Sequence, residues 1–222
     1  MDAFMAHYLA WLDAPPLLPA LVVMQWGWRL GWALVLGAGV AWAGTRWLGR
    51  GRRRAAAVAV VMLWTLWPGP ASPAHWLALA FQSPSLASSL LCAQWLWRST
   101  RAPQWLSVAP RSGAGLWMAA LGTLVGWLLL GDTLAWWLPS VYAWGFKPTA
   151  LMAAVGLLLA FGWLGRRSMQ AQCISAVLAL VLVLFVVTRL PSGNLWDALV
   201  DPWLWVVLQL MLLRALLGRA RD

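Results

Sequence analysis

The sequence predicts an all-α membrane protein, a polytopic bundle of about seven transmembrane helices. Of its 222 residues, 63% are hydrophobic and only 10% are charged, and the mean hydropathy is +0.73. A typical soluble domain has about a quarter charged residues. Apolar runs recur along the whole chain, and a chain of this kind uses lipid as most of its solvent. These observations argue against a water-soluble fold and indicate a single integral membrane domain over residues 1–222.

Each predicted span is an apolar run bounded by basic, proline-rich or turn residues. Residues 1–16 are too short for a cleavable signal and are expected to lie at the membrane interface. The second run ends at Pro-Gly-Pro-Ala-Ser-Pro, residues 68–73, which cannot continue a helix. A return helix follows, and Pro84 is expected to kink or break it. The predicted spans are 20–48, 55–67, 73–98, 115–131, 149–164, 172–188 and 202–218.

The basic residues divide unequally between alternate connections of this predicted bundle. Seven crossings place 13 of the 16 basic residues on one side and leave only Arg29, Lys147 and Arg189 on the other. Positively charged loops stay in the cytoplasm, so the N-terminus is predicted outside and the C-terminus inside. The basic clusters lie at the ends of apolar runs, which argues against a nucleic-acid-binding face. We therefore expect a multi-pass protein of a bacterial inner membrane, surrounded by lipid and without a nucleic-acid partner.

Acidic and aromatic residues gather in the predicted outer connections. Helix capping alone would explain several of the acids, because Asp201 precedes Pro202 at a helix start and Asn194 with Asp197 resembles a capping box. The alternative is that these connections contact another membrane or periplasmic protein subunit. On that hypothesis the candidate contact residues are Asp132, Trp136, Trp137, Lys147, Asp197 and Asp201.

Arg29 lies within the first apolar run rather than at its end. A charge inside a span usually faces protein or water and pairs with an acid, so an ion pair with Asp132 or Asp13 is expected. The alternative is that the long side chain reaches the outer lipid headgroups. Gly27 and Gly31 bracket Arg29 at a spacing that lets two helices approach closely.

A second pair of glycines, Gly122 and Gly126, has the same helix-packing spacing. Tryptophan occurs 21 times, and many copies lie near predicted interfaces, which is typical of aromatic belts. Such belts fix the depth and tilt of short spans without a bound pigment or haem. We therefore expect small-residue helix packing and no cofactor.

No motif in the chain carries recognisable catalytic chemistry. It has no Glu, and the glycine, serine and histidine patterns of ATPases, serine hydrolases and zinc proteases are missing. We expect a non-catalytic integral subunit or anchoring factor of an inner-membrane complex, with neither metal nor cofactor. The alternative is a small transporter or channel, with Arg29 and the helix break from Gln82 to Ser85 lining its path.

Overall fold

Every regular element of the structure is an α-helix. A computed structural model describes residues 17–47, 51–101, 113–136 and 140–219, and no strand occurs in these ranges. The predicted interfacial segment 1–16, with Asp13, lies outside the described residues, as does Trp137. The all-helical part of the predicted fold class is confirmed.

Ten helices are described, and most of the described connections between them are short and contain proline, glycine or serine. Their bounds are α1 (Leu21–Trp47), α2 (Arg52–Leu66), α3 (Pro73–Phe81), α4 (Leu86–Arg101), α5 (Gly113–Thr133), α6 (Val141–Trp144), α7 (Pro148–Leu164), α8 (Met169–Thr188), α9 (Leu195–Leu199) and α10 (Pro202–Arg219).

The run predicted as one span, residues 73–98, consists of two helices, α3 and α4. Gln82 has a φ of 62°, and Pro84 lacks the N–H that a continuous helix would need. Ser85 then accepts the Ser88 N–H at 3.0 Å and caps the start of α4. The nine residues of α3 rise only about 14 Å, roughly half of the hydrocarbon thickness.

Two helices, α5 and α8, are long and apolar enough to cross a membrane by length and composition. Three shorter apolar helices lie in α4, α7 and α10. Large apolar side chains such as Trp117 and Val187 are three-quarters exposed. The buried positions are filled mostly by small residues, as expected where lipid rather than water surrounds a helical bundle. Membrane association is the coarse conclusion that these helices support.

The helices pack mainly as neighbours along the chain, with three contacts that close the bundle. α1 packs against α2 and α4, α5 packs against α10, and α8 packs against α7 and α4. The core cluster joins α4, α7, α8 and α9, with Phe185, Val181 and Leu195 at its centre. Close packing of this kind brings several helix ends to one level.

Several helix ends and connections meet at what we call the polar end of the bundle. It comprises the start of α1, the break between α3 and α4, the end of α5, the short helices α6 and α9, the loop from Arg189 to Asn194, and the start of α10. Side-chain hydrogen bonds connect these parts across the chain, including Ser85 with Asp201 and Tyr142 with Asp197. The polar end therefore holds most of the long-range polar contacts in the described residues.

A candidate binding cavity at the polar end

A partly open cavity of about 1090 Å³ lies at the polar end. Its wall comes from α1, the end of α3, the helix break, the end of α5, α6, the α8–α9 loop, α9 and the start of α10. The volume is at the upper limit of the range typical of small-molecule sites. The lining is largely apolar and aromatic, with polar side chains from Gln25, Gln82, Ser83, Thr133, Tyr142, Ser192, Asp197 and Asp201.

The helix break forms one wall of the cavity and is held on both sides. The Trp32 indole N–H donates to the Gln82 carbonyl at 2.8 Å, which ties the break to α1. On the other side, the Ser85 backbone N–H donates to Asp201 Oδ2 at 2.8 Å. Gln82 and Ser83 lie between these two anchors and line the cavity. The break is therefore a fixed element of the site and not a loose connection.

Asp201 is a buried structural acid with both carboxylate oxygens engaged. Oδ1 accepts the Leu204 N–H at 2.8 Å, which caps α10 and confirms the capping predicted before Pro202. Oδ2 accepts from Ser85, so the same carboxylate joins the starts of α4 and α10. Its 7% exposed surface faces the cavity that it lines.

Asp197 has a different set of partners, all on one oxygen. Oδ2 accepts the hydroxyl hydrogens of Tyr142, at 2.9 Å, and of Ser192 in a shorter contact. Asn194 caps α9 through the Trp196 N–H, as predicted, but Asp197 does not close a capping box with it. Its carboxylate instead connects α9 to α6 and to the loop before α9.

Tyr142 is held in its neutral form by this arrangement. Burial, and then the charge and hydrogen bond of Asp197, raise the pKa of Tyr142 from 10.0 to about 12. The backbone carbonyl of Tyr142 also accepts a hydrogen bond of 2.9 Å from the Asn194 side chain. The phenol therefore acts as a hydrogen-bond donor to Asp197 throughout the physiological range of pH.

Gly145, at the end of α6, allows α6 to pack closely against the start of α9. A Cβ at this position would lie 2.0 Å from Asn194 Oδ1 and 2.5 Å from the Trp196 ring. The Gly145 carbonyl accepts the Leu195 N–H at 3.0 Å. Any larger residue would separate α6 from α9 and disturb the carboxylate of Asp197 between them.

Arg29 and Asp132, predicted as an ion pair, each contact other residues instead. The Arg29 guanidinium lies over the Trp26 ring, 5.6 Å from its centroid. Asp132 Oδ2 accepts from the Ser140 hydroxyl at 2.7 Å and from the Tyr142 N–H at 2.8 Å. Neither Arg29 nor Asp132 lines the cavity. Asp132 thus orders the connection that leads to α6.

Both glycine pairs lie against other parts of the chain. A Cβ on Gly27 would meet Leu190 at 2.7 Å, and one on Gly31 would meet Ser89 at 3.1 Å. Gly122 and Gly126 face α10, where a Cβ would approach Leu208 to 2.6 Å and Trp205 to 2.2 Å respectively. These glycines therefore serve packing within the bundle.

The remaining predicted contact residues lie at the edge of the polar end. Lys147 precedes Pro148 at the start of α7 and is exposed, without a side-chain capping bond. Trp136 is 61% exposed beyond the end of α5. Within the described ranges, no three His, Cys or acidic side chains come together as metal ligands would.

Sequence reasoning did not single out Tyr142, Ser192 and Phe81 for this site. A tyrosine between two proline-containing turns carries no motif, and Phe81 reads as one more apolar residue of a span. The one available signal was the scarcity of tyrosine, since the chain has only two against 21 tryptophans.

Comparison with known proteins returns no relative for this chain. No family model matches it, and neither a curated protein nor a solved structure is significantly similar.

Proposed function

We propose that this protein is a seven-span inner-membrane protein that binds a small amphipathic molecule in its outer cavity, as a small non-catalytic transporter or channel. The observation that carries the proposal is the cavity of about 1090 Å³ built around a helix break. Transporter sites are commonly formed where a discontinuous helix presents backbone polar groups to a cavity. Gln82 and Ser83 occupy that position here.

The seven crossings of this proposal are α1, α2, α4, α5, α7, α8 and α10. The short helices α3, α6 and α9 then lie at the outer interface, at the polar end. Basic residues flank the opposite ends of the spans, including Arg53, Arg166 and Arg214. The positive-inside rule favours that end as the cytoplasmic one. The cavity would accordingly be filled from the periplasm or from the outer leaflet.

Sequence analysis placed Arg29 on the transport path, but this proposal does not use Arg29 as a path-lining residue. Its guanidinium rests on Trp26, which is itself half exposed, and it does not reach the cavity. A side chain in this position suits the outer headgroups. We therefore assign the path to the helix break and the first turn of α10 rather than to Arg29.

A second proposal is a non-catalytic subunit or anchoring factor of a membrane complex. The observation that favours it is the exposed apolar surface of Leu134 and Trp136, just beyond the end of α5. An exposed apolar group at an aqueous end often marks a protein contact. The acids predicted to take part have internal partners, so a partner subunit would use these apolar side chains instead.

The binding function can be tested by asking whether a small molecule co-purifies with the protein from its native membrane. Val206 lines the cavity, and Val206→Trp would place a bulky ring in its wall beside Trp203 and Asp201. Leu216→Trp makes the same change on the exposed far end of α10 and serves as the matched control. Purified protein would be examined by native mass spectrometry and by analysis of extracted small molecules.

We expect the wild-type protein and Leu216→Trp to retain the same bound molecule and Val206→Trp to lose it. Equal retention by all three would contradict a site in this cavity, as would the lack of any bound molecule in the wild type. A protein that co-purifies in stoichiometric amounts, and is lost on Trp136→Ala, would support the subunit proposal.

A further inference from the structure

The charge of the cavity wall is unbalanced. Two carboxylates, Asp197 and Asp201, line the cavity, and no Lys, Arg or His does so among the described residues. Two arginines, Arg29 and Arg189, are close in sequence to residues that line the cavity. The Arg29 guanidinium lies over the Trp26 ring, and the Arg189 guanidinium lies over the Phe185 ring. The described wall therefore favours a positive ligand over a negative one.

Asp197 is the carboxylate with capacity left for a ligand. Both oxygens of Asp201 accept backbone N–H groups at helix starts, which offset its charge. Asp197 uses only Oδ2, for Tyr142 and Ser192, and no described donor reaches Oδ1. The Tyr142 and Ser192 bonds hold the carboxylate in place, so Asp197 presents a fixed acceptor group on a residue that lines the cavity.

Aromatic rings supply the rest of a cation-binding surface. Trp28, Phe81, Tyr142 and Trp203 all line the cavity. The rings of Phe81 and Trp203 meet edge to face with their centroids 5.3 Å apart. Aromatic faces attract organic cations, and the attraction is strongest where water is excluded. A hydrated inorganic ion would gain less from such walls, because they offer apolar surface and few oxygen ligands.

We propose that the cavity is selective for an organic cation, an ammonium or similar group on an apolar body. The cationic group lies against Asp197 Oδ1, and the apolar body lies between Phe81, Trp203 and Val206. This selectivity rests on the binding function proposed above, and it assigns a chemical class to the ligand of the same cavity.

The test compares two probes of the same shape and opposite charge, tetraphenylphosphonium and tetraphenylborate. Binding of each radiolabelled ion would be measured on the full-length protein in lipid nanodiscs, with empty nanodiscs subtracted. The variants are Asp197→Asn and Asp132→Asn. Asp132 is the matched control, because its Oδ2 likewise accepts two hydrogen bonds at the polar end but does not line the cavity. Thermal unfolding of each variant reports whether the fold is kept.

We expect the wild type to bind the cation saturably and the anion not at all above the empty discs. Asp197→Asn should weaken cation binding about tenfold or more, and Asp132→Asn should leave it unchanged within about twofold. If Asp197→Asn does not fold, the cation–anion comparison on the wild type decides alone.

Equal binding of both ions, or cation binding unaffected by Asp197→Asn, would overturn the charge selectivity. So would the absence of saturable binding of either ion. In each of these cases, the proposed binding function is still supported if Val206→Trp loses the co-purifying molecule. If Val206→Trp retains that molecule, both the selectivity and the binding function are contradicted.

Discussion

Single residues at the polar end show how one residue type takes two roles. Asp201 and Asp197 are four positions apart and line the same cavity. Both carboxylate oxygens of Asp201 accept hydrogen bonds from backbone N–H groups. Asp197 accepts hydrogen bonds only through Oδ2, and no described donor reaches its Oδ1. Asp201 thus has a structural role, and the proposal assigns ligand binding to Asp197.

Replacement of Asp201 by Ala should destabilise the protein strongly. The change leaves the buried Ser85 N–H without an acceptor and removes the cap of α10. The loss should be about 2–4 kcal/mol, from an unmet buried donor and a missing cap. Reversible unfolding by SDS in mixed micelles would measure it.

The matched control is Asp201→Asn, which keeps one carbonyl oxygen and should lose about half as much. Equal stability of the wild type and Asp201→Ala would refute the structural role assigned to this carboxylate.

Tyr142 should ionise later than an ordinary tyrosine. Because its pKa in the folded protein is about 12 against 10.0, the unfolded chain loses the phenol proton first as the pH rises. The stability that Tyr142 contributes is therefore complete below pH 10 and is lost between about pH 10 and 12. Difference absorbance at about 295 nm follows tyrosinate formation.

The chain has only two tyrosines, Tyr8 and Tyr142, so the titration is simple. Tyr142→Phe should remove the later transition, and Tyr8→Phe should leave it in place. Ionisation of both tyrosines together near pH 10 would rule out the hydrogen bond between Asp197 and Tyr142.

At the scale of helices, small residues decide which elements touch. α5 and α10 meet where Gly122 and Gly126 leave room for Leu208 and Trp205. The Trp205 indole N–H reaches the Thr123 carbonyl at 3.1 Å across this contact. The glycines thus permit both the close approach and the hydrogen bond between the two helices.

Gly126→Ala should loosen this contact. Its Cβ would lie 2.2 Å from Trp205 Cδ1, so the ring must move and lose its bond to Thr123. Overpacking of this kind costs about 1–3 kcal/mol. Gly156→Ala on α7 is the control, because a Cβ there meets nothing within 4 Å. Unfolding midpoints equal to the wild type for Gly126→Ala would show that the predicted crowding does not occur.

The helix positions were predictable from the sequence, whereas the polar contacts were not. Apolar runs ended by proline or by basic clusters predicted helices close to those observed, and the interruption expected at Pro84 occurs at residues 82–85. The cap at Asp201 followed from its position before Pro202. The hydrogen bond between Tyr142 and Asp197 could not be predicted from the sequence. It joins residues 55 positions apart, and their approach depends on the packing of α6 against α9.

At the scale of the whole molecule, one end of the bundle concentrates its polar chemistry. The helix break, α6, α9 and the start of α10 line a partly open cavity there, while the described arginines Arg53, Arg166 and Arg214 lie at or near the other ends of α2, α7 and α10. This asymmetry is what the seven-span proposal explains, since the basic side would face the cytoplasm and the cavity would face outward.

The most direct test of this account is the side of the membrane on which the cavity opens. Ser83 lines the cavity, and Met169 is exposed at the opposite end of the bundle. Ser83→Cys and Met169→Cys would be made separately in a variant without Cys92 and Cys173. Intact cells would be treated with a membrane-impermeant maleimide. The account predicts labelling of Ser83→Cys in intact cells and of Met169→Cys only after permeabilisation, and the reverse pattern would contradict it.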